Sequence, residues 1–292
     1  MTNDIVGADP AASTARKRAH DRWPRMLRTK HGVIGAVMAA AVLAVAVIGP
    51  SVASHPIDEP LGAPGSAPGD WALGTDYLGR DVLSRLLHGG FSVVWVALLS
   101  AALIYLSGTA VGLIAGISRS WLDPLLMRTV DVFIVFPPLV LLLVLIAGAG
   151  NKTWVLVLGV VLVLAPGVAR IVRSATLEIS TKNYVEAAVL RGERTSAVLV
   201  REILPNILPA IVADFGVRFL GAVFIIANLD FLGFGAQPPT ANWALMIAEN
   251  RVIIGTNPWS VFAPGLLLAM LTIAVNLMGD AFVGTRSKSG AE

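Results

Sequence analysis

Asp214 and Arg218 pose the first chemical question in this 292-residue chain, because both fall inside an otherwise apolar run, Ile207 to Leu229. An unpaired Arg near the centre of a bilayer costs about 2.5–3.5 kcal/mol on insertion scales. Four positions apart on a helix, roughly 6 Å along its axis, the two can pair on one face. Such a pair either lines an aqueous path or acts as a structural ion pair at a helix contact. Other reactive types are sparse. His20, His31, His55 and His88 have no metal-ligand spacing, so no metal site is expected. Cysteine is absent, which removes disulfides, Cys-ligated metals and thiol nucleophiles. No Gly-x-x-x-x-Gly-Lys-Ser/Thr phosphate loop occurs, so the chain has no recognisable way to bind ATP and is not expected to be an enzyme.

A second constellation is mechanical. Tyr184–Val185–Glu186–Ala187–Ala188–Val189–Leu190–Arg191–Gly192 is followed, after ten intervening residues, by Ile203–Leu204–Pro205–Asn206. The pattern reads as helix, break, helix, stop. Asn183 is placed to cap the first helix, Glu186 lies in its first turn where the dipole favours an anion, and Gly192 lets the chain reverse. Ala187 and Ala188 would let another protein's surface approach the backbone.

The elements that position these residues are membrane spans. Hydrophobic residues make up 55% of the chain and charged residues 14%, against roughly 25% charged in soluble domains. Mean hydropathy is +0.75. Six apolar stretches, about 32–52, 91–117, 132–149, 154–172, 207–229 and 258–283, are each long enough to approach or cross about 30 Å of hydrocarbon. They lack the alternation of barrel strands, so helices are expected. Gly108 and Gly112 form a Gly-x-x-x-Gly pattern in the second, a signature of close helix packing. Asn276 and Asp280, four apart in the sixth, read as residues that hydrogen-bond between helices or cap the cytoplasmic end of that span.

Lys and Arg set the orientation. Seventeen of twenty-two lie in 1–31, 118–128, 170–206 and 284–292, against four in the alternate segments, so both termini and the 176–206 loop are expected in the cytoplasm. The net charge of +3 therefore reads as membrane orientation and not nucleic-acid binding. The first span is too long, and too far from the N-terminus, for a cleaved signal; the first ~20 residues read as disordered. Two outer segments are long. In the first, Val82, Leu83, Leu86 and Leu87 share a helical face and Asp81 pairs with Arg85, giving a short helix at the membrane surface. The second, 230–257, reads as a folded cap.

The loop resembles the EAA signature of ABC importer permeases, whose short helix docks on a cytoplasmic ATPase. Leu204–Pro205 stand at the expected distance from Gly192, but Glu202 occupies the usual Ile position and Ile203 follows it, a variant similar to the peptide and nickel importers. From Trp23 onward the chain resembles the C-type permease subunit of dipeptide and oligopeptide importers. The matching pieces are Gly74 to Arg85, Asp131 with Phe136–Pro137, Phe231–Leu232–Gly233, Pro238–Pro239, Trp243, Met246, Asn276–Leu277 and Gly279–Asp280. After Asp280 the chain departs from the family pattern.

The resemblance implies an all-α membrane protein with six transmembrane helices in the type I ABC importer permease fold, an extracytoplasmic segment after helix 1 and a cap between helices 5 and 6. It implies a multi-pass subunit of the bacterial inner membrane that forms half of a path for di- or oligopeptides. The partners implied are a second homologous permease subunit in a heterodimer, two ATP-binding subunits or one fused ATPase, and an extracytoplasmic peptide-binding protein. ATP and Mg would be bound by the ATPases, with no cofactor in this chain. ATPase coupling would fall to Tyr184, Glu186, Ala187, Ala188, Gly192, Ile203, Leu204 and Pro205. Alternatives are an ABC permease for nickel or another small solute, or an ion-coupled secondary transporter, although no inverted repeat with broken helices is visible. Asp214 and Arg218 would then meet the charged termini of a zwitterionic peptide or sit at the contact with the second permease, the preferred reading. On the structural reading, Asp214→Asn with Arg218→Gln should leave uptake by an assembled transporter unchanged; lost uptake with intact assembly assigns the pair to the path.

Overall fold

In a computed structural model, which describes residues 29–118 and 120–289, the chain is a bundle of long helices. His20 and most of the N-terminal tail lie outside the described residues, as do 290–292. Among the described residues, five helices are long and apolar enough to cross a membrane, or six if one sharply bent pair counts as a single span. The only pairing of extended backbone among them is an isolated bridge between Thr75 and Asp81.

The first helix, α1, runs Lys30–Val52, capped by Thr29, whose Oγ1 accepts from the Gly32 N–H at 3.0 Å. Helix α2 runs Val82–Ile117 without a break. Its 36 residues span about 54 Å at 1.5 Å per residue, well beyond the hydrocarbon thickness. The surface helix expected around Val82 to Leu87 is thus the first part of this span. Asp81 ends the preceding turn and caps α2, accepting from the N–H groups of Leu83 (3.2 Å) and Ser84 (3.0 Å). The start is capped and no proline follows, and the weak point at Gly89–Gly90 stays helical where Trp243 packs against both glycines, so the surface helix and the span are continuous.

The third apolar stretch is not one helix. Helices α3, Leu122–Val135, and α4, Pro138–Ala149, meet at 93°. Phe136 precedes a proline and is held extended (φ −68°, ψ 132°), and Pro137 follows (φ −58°, ψ 126°). A residue before proline avoids the helical region, and proline offers no N–H, so Phe136–Pro137–Pro138 cannot continue α3. Helix α5, Thr153–Ser180, holds α3 through two Arg–Asp pairs: Arg173 Nε and Nη2 each reach Asp123 at 2.6 Å, and Arg170 Nη2 reaches Asp131 at 2.6 Å.

Helices α6, Asn183–Leu190, and α7, Thr195–Val198, follow, then a π turn, Leu199–Ile203, that leads into α8, Leu204–Phe231. The cap contains α9, Trp243–Asn250, and a 3₁₀ turn, Arg251–Ile253. The last helix, α10, runs Trp259–Ser289, past the end expected for the sixth span.

The tightest seam joins α2 to α5. A Cβ placed on Gly108 would lie 2.7 Å from Val168 Cβ, on Gly112 2.6 Å from the Ala169 carbonyl oxygen, and on Gly116 2.6 Å from Thr176 Cβ. The Gly-x-x-x-Gly pattern therefore extends one turn further, to Gly116, and brings the helices into near-backbone contact, where dispersion replaces the absent hydrophobic drive. We expect Gly112→Ala to destabilise the protein by about 1–3 kcal/mol through overpacking, measured by thermal unfolding in detergent. Gly148→Ala, where the added methyl meets nothing within 4 Å, should be near neutral.

Candidate functional site

The loop at the end of α5 is built by local chemistry. Lys182 is extended (φ −79°, ψ 142°) and starts α6 without a side-chain cap; Asn183, expected to cap, is instead the first helical residue. Glu186 sits in the first turn. The C-terminus closes as a Schellman motif, with Gly192 N–H on the Val189 carbonyl (2.9 Å), Glu193 N–H on the Ala188 carbonyl (3.2 Å) and Gly192 at φ +79°. No atom lies within 4 Å of a Cβ added to Gly192, so glycine is required there by its backbone angle and not by space.

Val185 and Ala188 are buried beneath α6 and share one core with Val172, Val198, Ile203 and Ile207. The other face is open: Tyr184, Glu186, Ala187, Val189 and Leu190 are exposed, Leu190 by 81%. The two alanines thus divide, Ala187 outward and Ala188 inward. Burial and, secondarily, the charge of Glu202 raise the pKa of the Tyr184 phenol. In the π turn, Leu204 N–H bonds to the Leu199 carbonyl; Ile203 is fully buried and Glu202 is only partly so. Leu204 and Pro205 form the first turn of α8, where proline's missing N–H costs no helical bond.

Asp214 and Arg218 do pair, with Arg218 Nε 3.2 Å and 3.1 Å from the two Asp214 oxygens. Two partners were not apparent in sequence. Tyr105 Oη on α2 donates to Asp214 Oδ2 at 2.9 Å, and the Arg218 guanidinium lies on α5 where Gly167 has no side chain, 2.6 Å from the position a Cβ would take. The ion pair therefore joins α2, α5 and α8. A phenol alone in an apolar span, and a glycine directly after Pro166, were the available signals. Asn276 donates to the Thr272 carbonyl of its own helix at 2.9 Å and packs its amide oxygen against Gly216 of α8; Asp280 is exposed.

At the opposite end of α2 lies a buried charge cluster. Asp76 accepts from Arg80 Nε at 2.6 Å and lies 3.5 Å from Arg85 Nε, while Glu249 Oε2 takes Arg80 Nη2 at 3.3 Å and Arg85 Nη2 at 2.8 Å. These four side chains are at most 7% exposed. Arg85 pairs with Asp76 and Glu249, so the expected Asp81–Arg85 pair gives way; Asp81 faces the α2 N-terminus and His55 Nδ1 at 3.4 Å. Its capping bonds already satisfy it there, and Glu249 is brought in by the cap. Burial and the Glu249 carboxylate raise the pKa of the Tyr77 phenol, which donates to Glu249 at 3.4 Å. Trp243, fully buried, donates its indole N–H to the Leu86 carbonyl at 2.8 Å and packs over Gly89 and Gly90. Gly74 (φ +72°) and Gly79 (φ +81°) make the turns that bring Asp76 and Arg80 together. The cap and the segment after α1 are thus one knit unit.

This arrangement of spans, exposed loop helix and cap defines a membrane permease subunit, and residues 108–287 match the family model of the binding-protein-dependent transport system inner membrane component. The chain belongs to that family and is a multi-pass inner-membrane protein. It is 32% identical to the di/tripeptide transport system permease protein DppC of Pseudomonas aeruginosa, over 88% of each chain. It is also 32% identical to the glutathione transport system permease protein GsiD of Pectobacterium atrosepticum, over 88% of this chain and 87% of that one. Its fold is shared with a chain of the MetNI methionine ABC transporter solved in inward-facing conformations, at a TM-score of 0.58 and 21% identity over 69% of this chain and 95% of the other.

Removing one member of a buried ion cluster strands the opposite charges, at roughly 3–5 kcal/mol. Glu249→Ala should accordingly release the cap from α2, seen as new protease cleavage between residues 230 and 257 before the spans unfold.

Proposed function

We propose that this subunit forms half of the translocation path of an ATP-driven importer of di- or oligopeptides. In this reading it lies in the bacterial inner membrane with both termini in the cytoplasm and pairs with a second homologous permease subunit. Two ATP-binding subunits, or one fused ATPase, dock on the loop from Glu186 to Asn206 and hold ATP and Mg. An extracytoplasmic peptide-binding protein delivers cargo to the cap end.

The exposed face of α6 carries the reading. Tyr184, Val189 and Leu190 are 42%, 57% and 81% exposed on a helix whose other face is anchored by Val185 and Ala188. An anchored helix that presents apolar side chains is suited to seat in a groove of another protein, and Glu186 and Ala187 share that surface. Because α6 follows directly from α5, a push on it is delivered to a span. Gly192 shapes the turn, while Ile203, Leu204 and Pro205 hold the return into α8. Asp214 and Arg218, tied to Tyr105 and packed on Gly167, suit a structural ion pair within this subunit better than a free charged path. The names of the relatives support peptide cargo.

The test is ATP-driven uptake of labelled trialanine into proteoliposomes that hold the complete transporter. Uptake should require ATP, and Glu186→Trp or Gly192→Trp should lower it about tenfold or more, roughly 1.4 kcal/mol of coupling. ATP hydrolysis should persist in these variants, or the ATPase should no longer co-purify. Full transport by both variants, or ATP-independent uptake by this chain alone, overturns the reading.

A further inference from the structure

Helices α3 and α4 meet at 93° around Phe136–Pro137–Pro138, and the packing on either side fixes how deep that break lies. Before it, Phe133 shares a groove with Leu158, Val161 and Leu162 of α5. After it, Leu142 packs over Gly159 so closely that a side chain on Gly159 would overlap it. Both flanks thus rest on residues 158–162, about 8–14 Å along α5 from its start at Thr153, at 1.5 Å per residue. That stretch lies inside the apolar run 154–172. The break therefore sits at hydrocarbon depth.

Its backbone is left unpaired there. Prolines occupy 137 and 138, the positions whose N–H groups would have served the carbonyls of Phe133 and Ile134. Among the described residues, no backbone bond from α4 reaches the carbonyls of Val135 or Phe136, and the first turn of α4 makes one bond back, from the Leu141 N–H to the Pro137 carbonyl at 3.1 Å. The N–H groups of Leu139 and Val140 add two donors without a helical partner. Nor is the break covered within this subunit: Val135 is 81% and Phe136 48% exposed, and both prolines are exposed. Irregular backbone does not face lipid at this depth; it occurs where protein buries it or where it lines water. A second permease presenting apolar side chains to Val135 and Phe136 would leave the orphan groups dry, at the cost of their lost hydrogen bonds. Water meets donors and acceptors alike, with no matched partner required.

We infer that the Phe136–Pro138 break lines the water-filled part of the translocation path, with Val135 and Phe136 on its wall. The inference rests on the reading of this subunit as half of such a path and names the segment that faces it. The wall is thereby assigned to the α3–α4 bend and not to the Asp214–Arg218 pair, and the two prolines acquire a role: they open the helix where the path needs backbone that water can reach.

With no cysteine in the chain, single introduced thiols report water directly. Val135→Cys and, as a second reporter should it fail to assemble, Val140→Cys are placed in the complete transporter in nanodiscs. Val252→Cys in the cap, 75% exposed, is the aqueous reference, and Val37→Cys on α1, 63% exposed, is the lipid reference. Each is treated with 2-sulfonatoethyl methanethiosulfonate, an anion excluded from hydrocarbon, without nucleotide and with ATP plus vanadate, and the rate is corrected for the transporter that carries no introduced thiol. In at least one nucleotide state the thiol at the bend should react within about tenfold of Val252→Cys and roughly a hundredfold faster than Val37→Cys, the scale set by the cost of bringing a charge into hydrocarbon. A rate closer to that of Val37→Cys in both states overturns the inference: labelling by N-ethylmaleimide then shows a bend that faces lipid, and labelling by neither reagent shows one packed against the second permease. Water access without ATP-driven peptide uptake keeps the path wall and removes peptide cargo, whereas uptake without water access removes this inference alone.

Discussion

The glycine seam between α2 and α5 is the contact on which the other features depend. In hydrocarbon, helices gain nothing by hiding apolar surface from one another, so association rests on how closely their backbones approach. Gly108, Gly112 and Gly116 let α2 press against Ala165 to Thr176 of α5. The two helices lead in different functional directions. Helix α2 starts in the cap, where Asp81 begins it and Arg85 anchors it, and α5 ends beside the exposed loop helix α6. The seam between them therefore links cap and loop through two closely packed helices.

Buried charge obeys the complementary constraint. Where the chain carries ionised groups away from water, it surrounds them with partners from distant segments. Asp76, Arg80, Arg85 and Glu249 satisfy one another and bind the cap to α2. Asp214 and Arg218 draw in Tyr105 and the bare backbone at Gly167. Each cluster therefore works as a joint between helices, and replacing either by apolar residues of similar volume need not weaken the fold.

The long helix α2 and the broken α3–α4 pair illustrate how punctuation controls spans. Continuous helix from Val82 carries α2 through the end of the cap into the membrane, while three residues, Phe136, Pro137 and Pro138, turn the chain through 93° between α3 and α4. The bend leaves α3 to be fixed by Arg170 and Arg173, two positions on one face of α5. That side of the bundle is held by ion pairs where the α2 side is held by glycines.

The helical character, the membrane residence and the helix–turn–helix of the loop were legible in the sequence, because each rests on local properties: the length of an apolar run and a glycine at a turn that demands positive φ. The pairing of Asp214 with Arg218 was legible for the same reason, since four residues on a helix fix their separation. What local chemistry could not decide was the choice among competing partners. Asp81 and Arg85 have helical spacing, yet Arg85 turns to Glu249, 164 positions away, because the cap brings a carboxylate to it while Asp81 is used by the start of α2. Likewise Tyr105, Gly167 and Gly116 acquire their roles only when distant helices meet. Interactions within one turn are written in the sequence; those between spans exist only once packing has set which residues face each other.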